Sequence, residues 1–124
     1  MDANQVTDSI LRSMQMRNDL EYLQGIIHDT AKEHGWWSDD CTRNKGESIA
    51  LMHSELSEGL EALRYGNPVS DHIPPFKLIE EELADTIVRI LDFSAGFGYD
   101  TIGALIAKME FNKTRPHKHG GKEF

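Results

Sequence analysis

Cysteine is almost missing from this 124-residue chain: Cys41 stands alone, which rules out a disulfide within the chain and fits a reducing compartment. Placed in a polar stretch, it reads as a small loop residue. Long apolar runs are missing too, so no segment reaches the ~20 residues that a membrane-spanning helix needs. Met1-Asp2-Ala3-Asn4-Gln5 has neither the basic nor the apolar region of a signal peptide, and a cytoplasmic location is expected. Positive charge is short: 13 Lys and Arg stand against 21 Asp and Glu, for a net charge of -8. That balance argues against nucleic-acid polymers and anionic membranes as partners. Strand-like alternation of β-branched residues never persists, so the fold class expected is all-α.

What remains is helical periodicity, and a chain of this length reads as one domain spanning residues 1–124. A first helix is expected from Thr7 or Asp8 to Lys32, with room for a break inside it, ending at Glu33-His34-Gly35. The polar segment from Trp36 to Lys45 leads to a second helix, with Asn44 or a neighbour as its N-cap. Gly66-Asn67-Pro68 stops that helix, and Pro74-Pro75 keeps the connection irregular. A third helix runs from about Phe76 to Phe97. After a Gly96-to-Tyr99 turn, Asp100 or Thr101 can cap a fourth helix reaching about Asn112. The polar tail that follows, 113–124, is expected to be mobile unless a ligand orders it. Wide apolar faces on so small a chain make an oligomer the expected state.

The chemistry lies in two carboxylate pairs, Glu55-Leu56-Ser57-Glu58 and Glu82-Leu83-Ala84-Asp85, separated by twenty-three residues that contain the Gly66-Asn67-Pro68 break. Residues three apart on a helix sit on adjacent stripes one turn apart, so each pair can aim at one point. The second helix places Ile49, Met52, Leu56, Leu60 and Leu63 on one stripe, read as core-facing, and puts Glu55 and Glu58 on its flank beside Leu51 and Ala62. The third repeats the plan: Ile79, Leu83, Ile87 and Ile90 form the core stripe, while Glu82 and Asp85 share a flank with Leu78, Arg89 and Asp92. Antiparallel neighbours would face these flanks across a cleft. Four carboxylates there must take up protons or bind a cation, and an oxygen-only ligand set favours Mg²⁺ or Mn²⁺. Glu61, Glu80, Glu81 and Asp92 read as solvated or outer acids.

With that pattern in view, the chain resembles the all-α nucleoside triphosphate pyrophosphohydrolases of the MazG type, relatives of the dCTP pyrophosphatases and dimeric dUTPases. Glu55, Glu58, Glu82 and Asp85 match the family's Glu-x-x-Glu and Glu-x-x-Asp pairs. Lys108-x-x-x-Asn112-x-x-Arg115-Pro116-x-Lys118-His119-Gly120 is similar to its C-terminal phosphate-binding stretch, and His28 through Gly35-Trp36-Trp37 to its base-side element. The resemblance implies a four-helix bundle that assembles as a homodimer or homotetramer. It also implies a (deoxy)nucleoside triphosphate as substrate, cut between the α and β phosphates to a monophosphate and pyrophosphate.

Carried over residue by residue, the resemblance makes the four acids metal ligands, with Glu55 or Glu58 as general base. Lys108, Asn112, Arg115 and Lys118 become phosphate contacts, Asn112 first among them, and the tail closes the site. His28, Trp37 and Tyr65 become base contacts, with Trp36 able to exchange roles with Trp37. Arg89 departs from the dCTP-cleaving branch, which has tyrosine there; it would contact phosphate or pair with Asp85 or Asp92. Cytosine selectivity therefore does not carry over, and a purine such as dGTP fits as well. A nucleotide-pool enzyme of a bacterium, or of a phage acting in its host's cytoplasm, is the implied setting. The competing readings are a non-catalytic acidic helical interaction module and a dUTPase-like hydrolase with different bond selectivity.

Overall fold

The structure is a computed structural model that describes residues 1–39 and 43–124. Cys41, read above as a loop residue, lies outside the described residues together with Asp40 and Thr42. Helices account for 73% of the described residues, and strand-like pairing among them is confined to one isolated bridge between Val69 and Lys77. The all-α reading therefore stands. The helices are α1 (Ala3–Glu33), α2 (Lys45–Arg64), α3 (Leu78–Phe97), α4 (Thr101–Lys113) and the single turn α5 (Lys118–Gly121).

Two compact units make up the chain: Met1–Leu23 with Asp100–Phe124, and Gln24–Tyr99. In the first, Arg17 donates to both Asp100 oxygens, at 3.2 and 2.9 Å, and Ile102 is buried. Asp100 also caps α4 by accepting from Gly103 N–H at 3.0 Å, one of the two caps expected from the sequence. The helix α1 starts earlier than its periodicity implies and has no break. Beyond α4, the turn at Lys118–Gly121 carries left-handed backbone at Lys118, His119 and both glycines.

The second unit is built on α2 and α3. Asn44 caps α2, its side-chain oxygen accepting from Glu47 N–H at 2.8 Å. At the other end Gly66 (φ 86°) and Asn67 (φ 49°) turn the chain through left-handed backbone, and Asn67 Oδ1 accepts from Ile79 N–H at 3.0 Å, which fixes the start of α3. Between them Ser70, buried, donates to Glu81 at 2.6 Å and accepts from the backbone N–H groups of His72 and Ile73. Glu55 meeting Arg89 and Gly59 meeting Ile79 show that α2 and α3 run antiparallel.

The faces in contact differ from the sequence reading. On α2 the buried residues are Ser48, Glu55, Gly59 and Ala62; on α3 they are Thr86, Leu91, Asp92 and Ser94. Ile49, Leu56, Leu60, Leu63, Leu83 and Ile87, read above as core, are 42–55% exposed within the single chain. The physical reason is close approach. A methyl group on Gly59 would lie 2.9 Å from Ile79 Cδ1 and 3.5 Å from Glu82 Cβ, so α3 settles over the stripe of small residues and not over the bulky one. The acidic flank is thereby the covered flank.

Glycine at position 96 is required for a different contact: a Cβ there would fall 2.1 Å from Trp37 Cη2. The indole is itself held edge-on to Phe97 at 5.1 Å and by Asp92, so it has little freedom to yield. Gly96→Ala is expected to cost about 1–3 kcal/mol through overpacking, despite alanine's better helix propensity. Thermal denaturation checks this, and an unchanged or raised melting temperature would contradict the packing of Trp37 on α3.

Candidate functional site

The antiparallel pairing of α2 and α3 brings three of the four expected acids together. Glu55, Glu82 and Asp85 each offer a carboxylate oxygen, and these oxygens lie within 4.8 Å of one another. That span suits ligands arrayed around one divalent ion, whose bonds to oxygen are about 2.0–2.6 Å. Glu58 stands beside this group on the exposed side of α2. Arg89 answers α2 from one turn beyond Asp85: its Nε donates to Glu55 Oε1 at 2.8 Å. The expected alternatives for Arg89, pairing with Asp85 or Asp92, give way to Glu55, because the antiparallel register puts that carboxylate opposite it.

The group carries unresolved charge. One Glu82 oxygen, Oε2, is buried without a hydrogen-bond partner among the described residues. Burial, reinforced by a hydrogen bond with Glu55 and by the charge of Glu58, pushes the Glu82 carboxyl up to about 7. The Glu58 carboxyl is raised by its hydrogen bond with Glu55 and by partial burial, and Asp85 by burial and the Glu55 charge. Burial opposes ionisation of Glu55 as well, yet the Arg89 guanidinium, with hydrogen bonds from Glu82 and Glu58, holds its carboxyl below the ordinary range. Three ionised carboxylates and one guanidinium leave two negative charges, which one divalent cation balances. The donor set, the spacing and the orphaned oxygen all fit a hard cation.

From this group a pocket of about 610 Å³ extends, within the size range of small-molecule sites. Glu55, Asp85 and Arg89 line one part of it, Leu51 and Val88 supply apolar wall, and Trp36, Arg43 and Asp92 line another part. Asp92 was read as a solvated or outer acid. Instead it is 5% exposed and accepts from three side chains: Trp37 Nε1 at 2.9 and 3.1 Å, Arg43 Nη1 at 3.0 Å, and His28 Nδ1 at 2.8 Å. Its sequence signal was a lone acid within the apolar run Ile90-Leu91-Asp92-Phe93, a position where a carboxylate persists only with partners. Glu81, read the same way, is tied to Ser70 and to His72 Nδ1 at 2.6 Å, which hold its carboxyl below the ordinary range.

The other expected contacts divide between the two units. Of the base-side residues, Trp36 lines the pocket, His28 Nδ1 and Trp37 Nε1 are bonded to Asp92, and Tyr65 stands 77% exposed at the end of α2. Lys108, Asn112, Arg115 and Lys118 belong to the unit formed by Met1–Leu23 and Asp100–Phe124. Within it, Lys108 Nζ lies 4.6 Å and the Arg115 guanidinium 5.8 Å from the centre of the Phe111 ring, a shared cation-π platform, with Asn112 exposed next to it. Comparison with protein-family models, curated proteins and solved structures finds no match to the chain.

The raised carboxyls set the pH dependence of stability. Glu82 ionises near 4.5 when unfolded but keeps its proton to about 7 when folded, so the unfolded chain binds fewer protons between those values. Stability therefore falls as pH rises through that window and levels off above it. Glu58 and Asp85 act in the same direction; Glu55, lowered in the fold, acts against them. Chemical denaturation from about pH 5 to about pH 7.5 should show the decline, and Glu82→Gln should flatten it. Parallel pH profiles for the two proteins would remove Glu82 as its source.

Proposed function

We propose that this chain hydrolyses a (deoxy)nucleoside triphosphate between the α and β phosphates in a Mg²⁺- or Mn²⁺-dependent reaction, releasing a nucleoside monophosphate and pyrophosphate. The observation that carries this reading is the Glu55, Glu82 and Asp85 cluster, with its partnerless buried oxygen, on a pocket of nucleotide scale. The nucleotide itself comes from the sequence resemblance to MazG-type enzymes, whose two acidic pairs include the three residues that meet here.

Glu55, Glu82 and Asp85 would hold the ion, with Glu58 beside them on the exposed side of α2. When bound, a divalent cation supplies charge neutralisation for the phosphates and a more acidic water. The chain's own residues divide the remaining work. Arg89 keeps Glu55 ionised, so that one ligand is ready whatever the state of its neighbours. Glu58, exposed and with a raised carboxyl, is better suited than Glu55 to take a proton from the attacking water, because it is not engaged by Arg89 and its basicity is shifted towards neutral pH. As water attacks, the bond from the α-phosphorus to the bridging oxygen breaks, pyrophosphate leaves, and the water's proton passes to Glu58. Lys108, Asn112, Arg115 and Lys118 are proposed as phosphate ligands.

Incubation with a nucleotide panel and Mg²⁺ should release pyrophosphate, not orthophosphate. Partners around a metal ligand are each worth about 10–100-fold in affinity or activity, and loss of a ligand or base costs at least as much. Asp85→Asn and Glu58→Gln should therefore lower turnover by about 100-fold or more while leaving the apo fold intact, since each removes a repelled charge. Diphosphate with orthophosphate as products would instead indicate a nucleotide hydrolase with different bond selectivity, and no release from any nucleotide would leave an acidic binding module.

We also infer that second copies of this chain cover the uncovered apolar stripes of α2 and α3, giving a homodimer or homotetramer. The support is thermodynamic: among the described residues the buried apolar side chains are Ala62, Leu91 and Ile102, too few to offset chain entropy for a domain of this size. A self-associating face present from folding onward meets that need without a separate partner. Sedimentation should give a multiple of 14.1 kDa. Leu60→Glu or Ile87→Glu should dissociate the assembly and lower its melting temperature, whereas a stable wild-type monomer would count against it.

A further inference from the structure

The nucleotide reading leaves Asp92 without a task, although it is among the most buried charged groups in the chain. It is not a cation site in waiting. Both oxygens are occupied: Oδ1 by His28 Nδ1 and Trp37 Nε1, and Oδ2 by Arg43 Nη1, with the indole N–H shared between them. The three donors come from separate stretches, His28 from α1, Trp37 from the segment after it and Arg43 from the segment before α2. One carboxylate on α3 thus fixes both ends of the α1–α2 connection that the structure describes.

The consequence for the pocket runs through Arg43. Its guanidinium lies 4.4 Å from the centre of the Trp37 ring while Nη1 is bonded to Asp92, so the group is held both against the ring and at one corner. Arg43 and Asp92 line the same pocket as Glu55 and Asp85. Asp85 and Asp92 are seven residues apart on one helix, about 10.5 Å along its axis, the scale of a nucleoside lying between its phosphate and the far edge of its base. An immobilised guanidinium offers only donors. It therefore matches a base edge carrying adjacent acceptors, such as O6 and N7 of guanine, and mismatches the amino group of adenine.

Resting on the nucleotide reading, we propose that Asp92 is a positioning residue that orients Arg43 to contact the base, and that this pair selects a base presenting an acceptor edge. Arg43 is the group that touches substrate. Asp92 acts through it.

The test is equilibrium titration of tryptophan fluorescence, reported by Trp36 in the pocket wall, with guanosine and adenosine monophosphates in the absence of divalent ions. Wild type should bind the guanine nucleotide more tightly. Arg43→Gln should weaken guanine binding by about 10-fold and abolish the difference between bases, with Arg43→Lys restoring part of the affinity but not the discrimination. Asp92→Asn should reproduce the Arg43→Gln result, and in turnover of the triphosphate its loss should fall on KM more than on kcat. Where Asp92→Asn lowers the melting temperature too far to titrate, Arg43→Gln carries the test, since it leaves Asp92 its bonds from His28 and Trp37. Full guanine affinity and discrimination in Arg43→Gln would overturn this inference alone. A wild type that binds neither nucleotide, with or without Mg²⁺, would overturn the nucleotide reading, and this inference with it.

Discussion

Like charges forced together between two antiparallel helices are the constraint around which the second unit is organised. Glu55 and Asp85 would not be placed side by side by any hydrophobic or helical preference, and the Arg89 bond to Glu55 neutralises only part of the repulsion. The remainder appears as raised carboxyls at Glu58, Glu82 and Asp85 and as an oxygen with nothing to bond. A fold under selection for stability alone would replace such acids with apolar residues, because a buried charge without full compensation is a net cost. On the flank that α2 and α3 cover, the donor set is one that a hard cation fits.

The same packing choice determines what the rest of the surface must do. Because α3 closes over Ser48, Glu55, Gly59 and Ala62, the contact between the helices is narrow and polar, and it contributes little hydrophobic stabilisation. The leucines and isoleucines that give α2 and α3 their periodicity are left facing outward in a single chain. Site and surface are linked in this way: burying the acids within the chain leaves the apolar stripes uncovered by it. Gly59 lies at this contact, where an added methyl group would have to displace the end of the Ile79 side chain.

Much of this was legible in the sequence, and the part that was not has a common cause. Helix identity, the Asn44 and Asp100 caps and the break at Gly66-Asn67 follow from local chemistry, which acts within a few residues and is written there. The acidic pairs were legible because their spacing is helical and their sign is uniform. What escaped were choices between faces of one helix. Hydropathy ranks the Ile49 to Leu63 stripe above the Ser48 to Ala62 stripe, but it cannot state whether the better stripe meets this chain or another. The Arg89 partner and the seat of Trp37 against Gly96 escaped likewise, because both depend on register between segments far apart in the chain.

Asp92 and Glu82 set the two uses of a buried carboxylate side by side on one helix. Each sits in α3 and each is withdrawn from water, so burial alone does not separate scaffold from site. Their partners do. Asp92 has donors on both oxygens, drawn from three stretches of chain, and its charge is spent on holding those stretches in place. Glu82 faces other acids, keeps its proton to about 7 and leaves one oxygen unmatched. A satisfied buried charge organises the protein around itself, whereas an unsatisfied one waits for something the chain does not supply. With the first shaping the pocket's wall and the second facing its acidic end, α3 carries both the rigidity and the reactivity from which a nucleotide site would be built.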